Sequence, residues 1–137
     1  MERVLITGGA GYIGSVVGAQ LVAAGHDVVV LDDLSTGFAD AVPAGAVFVK
    51  GRLRDCAAEL LSDGADAVLH FAASSLVGES VANPAKYWSN NLGGTISLLD
   101  AMREMRVRTM VFSSTAAVYG EPERAQITET DPSRPAS

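Results

Sequence analysis

The chain has 137 residues, 48% hydrophobic and 19% charged, with a formal net charge of −6. This length predicts one domain able to bury ~68% of its unfolded surface without disulfide or metal staples. The single Cys56 excludes a disulfide framework and, with only His26 and His70 beside it, a metal site; the acidic balance argues against nucleic acid or an anionic membrane as partner.

Apolar runs at 3–7, 27–31, 46–49, 67–71 and 109–113, rich in Val, Ile, Leu and Phe, read as strands. They do not alternate with polar residues, which predicts strands buried on both faces of a parallel sheet. Helices are predicted between them at 12–24, 55–62 and 81–105. In the last, Leu98, Leu99, Ala101, Met102 and Met105 have the spacing of one apolar helix face. Arg103, Arg106 and Arg108 collect near its end, where cations suit the helix dipole. The connection 32–45 reads as loop, since Ser35, Thr36, Gly37, Pro43 and Gly45 break any helix. From Gly120 onward Pro122, Pro132 and Pro135 interrupt a stretch without periodicity, so 120–137 is predicted to be irregular. The pattern as a whole predicts an α/β fold with right-handed crossovers and helices on both sheet faces. The apolar run after Glu2 stops at Thr7, so no secretory leader is expected. No window holds the ~20 apolar residues of a membrane span, and a cytoplasmic location is the expectation.

The first turn carries the strongest chemical signal. Gly8, Gly9, Gly11 and Gly14 follow the first strand and open the first helix. Gly11 lets the backbone approach a pyrophosphate, Gly14 lets the helix pack close to the sheet, and the helix start offers free amides to phosphate. A tight glycine turn with no ligand is the other reading, which the strand–turn–helix setting disfavours. Asp32 and Asp33 end the second run, Asp32 standing 21 residues after Gly11. A carboxylate there can accept hydrogen bonds from an adenosine ribose, although an Asp pair in a turn can also be merely solvated. No Arg or Lys lies between Asp27 and Val49 to receive a 2′-phosphate, which favours NAD over NADP. These features predict a doubly wound parallel sheet, the Rossmann fold, in strand order 3-2-1-4-5, with NAD at the carboxyl ends of strands one and four.

The sequence resembles the extended short-chain dehydrogenase/reductases, and among them the UDP-glucose 4-epimerases. The resemblance rests on residues 7–15, on 31–37 and on His70 to Ala73, the last a His-Phe-Ala-Ala run. It continues through Val77-Gly-Glu-Ser80, Asn90-Asn91 with Gly94-Thr95, and Phe112-Ser-Ser-Thr-Ala-Ala-Val-Tyr-Gly120, and covers essentially the whole chain. It implies that Tyr12 and Ile13 cover the pyrophosphate, while Asp32, Asp33, Leu34, Ser35, Thr36 and Gly37 surround the adenosine ribose. Phe71, Ala72 and Ala73 would line the nicotinamide side, with Asn90 reaching the cofactor. Thr115 falls where the family places a hydroxyl against the sugar oxygen that is oxidised. By the same resemblance a tyrosine phenolate removes the sugar 4-hydroxyl proton as hydride passes to NAD⁺, and the 4-keto sugar turns and takes the hydride back on its other face. A lysine four residues after that tyrosine lowers its pKa.

That pair is missing. Tyr12, Tyr87 and Tyr119 are followed four residues later by Val16, Asn91 and Glu123, and the lysines are Lys50 and Lys86 alone. The resemblance therefore implies the NAD-binding front part of a longer enzyme, without its later strands and substrate domain, and a chain inactive by itself. Residues 51–55 resemble a family segment in which an Asp meets the adenine amino group. Arg52, beside Leu53, cannot accept that bond, since guanidinium carries donors only, and either stacks on the adenine or is solvated. Ser75 stands where some members carry a lysine. Other nucleotide-sugar enzymes of the superfamily, dehydratases or decarboxylases, and a non-catalytic nucleotide-binding module remain alternatives. Cys56 reads as a small core residue, His26 as a backbone cap and His70 as a satisfied semi-buried imidazole. Ser113 and Ser114 read as strand-end caps. Tyr87 and Trp88 read as packing or interface residues, so a homodimer through the 81–105 helix is a further expectation.

Overall fold

Five strands, β1 (Arg3–Thr7), β2 (Asp27–Asp32), β3 (Val47–Lys50), β4 (Ala67–His70) and β5 (Thr109–Phe112), form one sheet in the order β3-β2-β1-β4-β5. All four pairings are parallel, with Val4 opposite Val28 on one side and Ala67 on the other. The predicted strand order is the one found. The computed structural model describes residues 1–122 and 124–136; Glu123 and Ser137, both within the predicted 120–137 loop, lie outside the described residues.

Alternation along β1 and β2 divides the core into two layers, because successive side chains point to opposite faces. Leu5, Val29, Leu31 and Val68 pack under α2 (Leu53–Ser62) and α5 (Gly93–Glu104) through Ala57, Leu61, Leu98, Ala101 and Met102. Val4, Ile6, Val28 and Val30 pack on the other face with Leu21 and Val22 of α1 (Tyr12–Ala23). Helices thus cover both faces, as expected, and Leu98 is fully buried, so its truncation to Ala is worth ~2–5 kcal/mol.

Burial on both faces holds for the inner strands β2, β1 and β4, where no residue is exposed. At the sheet's margins Val47, Val111 and Phe112 are more than half exposed, since β3 and β5 each pair on one side only. The predicted helix 81–105 is likewise not continuous. Asn83 breaks it with φ −136°, ψ 69°, and its side chain accepts from Lys86 N at 3.4 Å. The segment becomes α3 (Val77–Ala82), α4 (Pro84–Tyr87), a π-turn (Trp88–Leu92) and α5. Proline at the first position of α4 explains the break, since it cannot donate to a preceding turn. On α5, Leu98, Ala101 and Met102 face the core, while Leu99 and the C-cap Met105 are exposed. The 32–45 connection is loop apart from a single 3₁₀ turn at Ala39–Ala41.

Cys56 is a half-buried free thiol against the core, as expected. Among the described residues the His26 ring caps no backbone group. Its backbone N–H donates to Leu21 O at 3.0 Å, and Nδ1 is buried without a partner among the described residues.

Candidate functional site

The carboxyl ends of β1 and β4 adjoin where the chain order reverses, the usual ligand position in open α/β sheets. Gly8 turns the chain out of β1 at φ +74°, a conformation natural to glycine. A Cβ there would lie 2.6 Å from Ala72 N and 2.7 Å from Phe71 C, so this turn rests directly on the loop after β4. Gly14, in the first turn of α1, backs on Gly8 and Gly9 with no room for a side chain. Gly11 is the N-cap and has no side chain to offer the helix start. Ser15 N–H makes the first helical bond, to Gly11 O at 3.0 Å, leaving the amides of Tyr12, Ile13 and Gly14 at an open end carrying partial positive charge. Tyr12 and Ile13 are both exposed over it.

Asp32 ties this loop to β2. Its Oδ2 accepts from Ala10 N at 3.0 Å and its Oδ1 from Leu34 N at 2.9 Å. A carboxylate has about four lone-pair sites, so two remain for an incoming hydroxyl pair. Asp33 is exposed and accepts from Ser35 N at 2.8 Å. Burial pushes its carboxyl up, but the Ser35 hydrogen bonds, with Arg52 nearby, hold it below the usual carboxylate range. Arg52 therefore supplies a cation beside Asp33 that the 27–49 window does not contain. Leu53 lies against the core, and Gly37 packs on Ala10.

On the β4 side, His70 is buried and fully bonded. Nδ1 lies 2.6 Å from Thr7 Oγ1 and Nε2 3.0 Å from Thr95 Oγ1. Thr95 donates its only hydroxyl proton to Asn91 O at 2.7 Å, so Nε2 must be the donor to Thr95, and Nδ1 accepts from Thr7. Burial holds the imidazole below its usual pKa, in keeping with this neutral form. Beyond His70, Phe71 and Ala72 are half-buried while Ala73 and Ser75 are exposed. Ser74 is gripped by Asn91, whose Oδ1 accepts from Ser74 N at 2.8 Å and whose Nδ2 donates to Ser74 O at 2.9 Å. Asn90 Nδ2 donates to Ser74 Oγ at 3.1 Å. The Tyr87 hydroxyl accepts from Leu76 N at 3.2 Å and lies 2.8 Å from both Leu76 O and Glu79 Oε2. Glu79 is also paired with Lys86 at 2.6 Å.

At the end of β5 it is Thr115, rather than Ser113 or Ser114, that serves as a cap. Its Oγ1 accepts from Ala117 N at 3.1 Å at the start of a 3₁₀ turn, Ala116–Tyr119. The hydroxyl proton is left to point elsewhere, and Thr115 is exposed. Sequence reading passed over Asn91, Tyr87 and Thr95 as holders of the β4 loop. The adjacent asparagines and the four-residue step from Asn91 to Thr95 were the available signal.

The model of the NAD dependent epimerase/dehydratase family matches residues 4–137. The chain belongs to that family. It is 58% identical over 140 residues to a UDP-glucose 4-epimerase of Streptomyces lividans, covering 97% of this chain and 42% of the relative. A UDP-glucose 4-epimerase of Klebsiella pneumoniae is 43% identical over 138 residues, with 93% of this chain and 99% of the relative covered. The crystal structure of UDP-glucose 4-epimerase from Brucella ovis in complex with NAD superposes with a TM-score of 0.88 at 46% identity, over 98% of this chain and 42% of that one. The chain thus spans about two-fifths of the length of the first relatives it matches. Among the described residues no helix is long and apolar enough to cross a membrane.

Proposed function

We propose that this chain binds NAD⁺ across the carboxyl ends of β1 and β4 and forms the cofactor half of a UDP-glucose 4-epimerase, an isomerase that interconverts UDP-glucose and UDP-galactose. The observation that carries this is the open start of α1, framed by Gly8, Gly11 and Gly14 and tied through Ala10 to Asp32. The Brucella ovis relative, solved with NAD, supports the same choice of cofactor.

In this reading the amides of Tyr12 and Ile13 hold the pyrophosphate. The free lone pairs of Asp32 receive the adenosine ribose hydroxyls, and Asp33, Leu34, Ser35, Thr36 and Gly37 enclose that sugar. Arg52 and Leu53 border the adenine. Phe71, Ala72, Ala73 and Ser75 line the nicotinamide half, with Asn90 beside them. NAD⁺ supplies a hydride acceptor. Thr115, its oxygen held by Ala117 N, is free to donate its hydroxyl proton to the sugar oxygen being oxidised. The sequence holds no Tyr-x-x-x-Lys pair to act as base, so these 137 residues bind without turning over. Trp88, Leu92, Ile96 and Leu99 are exposed apolar residues of the 88–99 segment, through which two copies associate.

Calorimetric titration tests the cofactor assignment. NAD⁺ is expected to bind at least about tenfold more tightly than NADP⁺, since a 2′-phosphate would meet Asp32 and Asp33 at close range. Equal or tighter binding of NADP⁺ overturns the assignment.

A further inference from the structure

The loop after β4 is held by a continuous polar chain that begins in the sheet. Thr7 donates to His70 Nδ1, His70 Nε2 donates to Thr95, and Thr95 donates to Asn91 O. The Asn91 side chain then closes on both backbone groups of Ser74. Each hydroxyl and the neutral imidazole has one proton to give, so the chain has a single direction. It joins β1 beneath the glycine loop, β4, and the π-turn with the start of α5, which lie far apart along the sequence. Thr7 and His70 are buried, and a hydroxyl or imidazole left unpaired there is expensive.

We infer that Thr95, His70 and Asn91 are positioning residues that set the placement of Ser74 and its neighbours over the nicotinamide half of the site. The inference rests on the cofactor reading above and deepens it. The glycine loop and Asp32 hold the ADP half by their own bonds. Among the described residues, the β4 loop from Ser74 onward is fixed by Asn91, Asn90 and Tyr87. Removing the Thr95 hydroxyl strands His70 Nε2 and frees Asn91 O, which loosens the grip on Ser74 while the glycine loop keeps its bonds to Leu31 O and Asp32.

The test compares the 137-residue chain with Thr95→Val, Thr95→Ser and Asn91→Ala. It reads amide hydrogen exchange at Ser74 and calorimetric affinity for NAD⁺ and for ADP. Thr95→Val is expected to speed Ser74 exchange about tenfold and to weaken NAD⁺ roughly tenfold, the effect of losing one buried bond, with ADP affinity held within about twofold. Thr95→Ser, which restores the hydroxyl, returns both values. Asn91 is only half-buried, so Asn91→Ala provides the same readouts should the valine variant fail to fold. Unchanged Ser74 exchange, or equal losses for NAD⁺ and ADP, overturns the positioning role. A wild-type chain that binds neither nucleotide overturns the cofactor reading itself, an outcome separate from one in which wild type and Thr95→Val bind both equally well.

Discussion

The same substitution, glycine to alanine, is expected to act with opposite sign at two helical positions. At Gly14 the new Cβ would lie 2.7 Å from Gly9 Cα and 3.0 Å from Gly8 C, with Gly8 O closer still. These are backbone atoms with no path of retreat. Gly8 N is bonded to Leu31 O at 2.8 Å, Gly8 rests on Ala72, and Gly9 rests on Val30. Overpacking costs ~1–3 kcal/mol even where side chains can yield, and the helix-propensity gain of alanine over glycine offsets ~1 kcal/mol at most. Because the clash is with backbone it falls at the upper end of that range, so a net loss of about 2 kcal/mol follows, or ~8 °C in melting temperature at roughly 4 °C per kcal/mol for a chain of this size. Gly78, in α3, has nothing within 4 Å of the added carbon. There Gly78→Ala gains helix propensity with no clash, about 0.5 kcal/mol and ~2 °C upward. Melting followed by circular dichroism without ligand reads both. A Gly14→Ala chain melting at or above the wild type refutes the close approach of α1 to the glycine loop, as does a shift of both variants in one direction.

Three further outcomes are expected. Burial lowers the His70 pKa, so the unfolded chain takes up a proton first as pH falls from ~6.5. Stability is then complete above that pH and declines below it, by at most ~1.4 kcal/mol per pH unit. Urea unfolding between pH 7.5 and 5 should show the decline, and an identical slope in His70→Asn refutes its origin in this residue. Sedimentation should show wild-type self-association weakened by Trp88→Glu with Ile96→Glu, both exposed on the 88–99 segment; unaltered association sinks that interface. The purified chain should show no conversion of UDP-galactose, and measurable turnover would mean that a base other than the missing Tyr-x-x-x-Lys pair is at work.

What was legible in the sequence was local. The five strands could be read because Val, Ile and Leu cluster in short runs, and the glycine turn because close packing admits no other residue at Gly8 and Gly14. Features decided by partners far along the chain were not. Arg52 stands outside the loop after β2 yet acts on Asp33, since adjacent parallel strands bring their carboxyl ends together. The exposed margins at β3 and β5 follow from which strands have neighbours, and apolar composition carries no such information. The broken helix at 81–105 was foreshadowed by Asn83-Pro84, a capping residue followed by a helix-starting proline. His70 could be recognised as a satisfied imidazole, whereas its partners Thr7 and Thr95 required the fold.

The π-turn at Trp88–Leu92 works as a phase shifter. Arg54 reaches across from α2 and donates to Ser89 O at 2.5 Å, inside the wide turn, and Gly93 leaves the space its guanidinium occupies. One residue more than an α-turn rotates everything ahead of it by about 100° relative to α5. Leu98 and Met102 can then face the sheet while Asn90 and Asn91 face Ser74. Deleting a single residue there would join α4 to α5 as one α-helix with its buried face intact and its asparagines turned away from Ser74: a chain still folded, with the loop after β4 released.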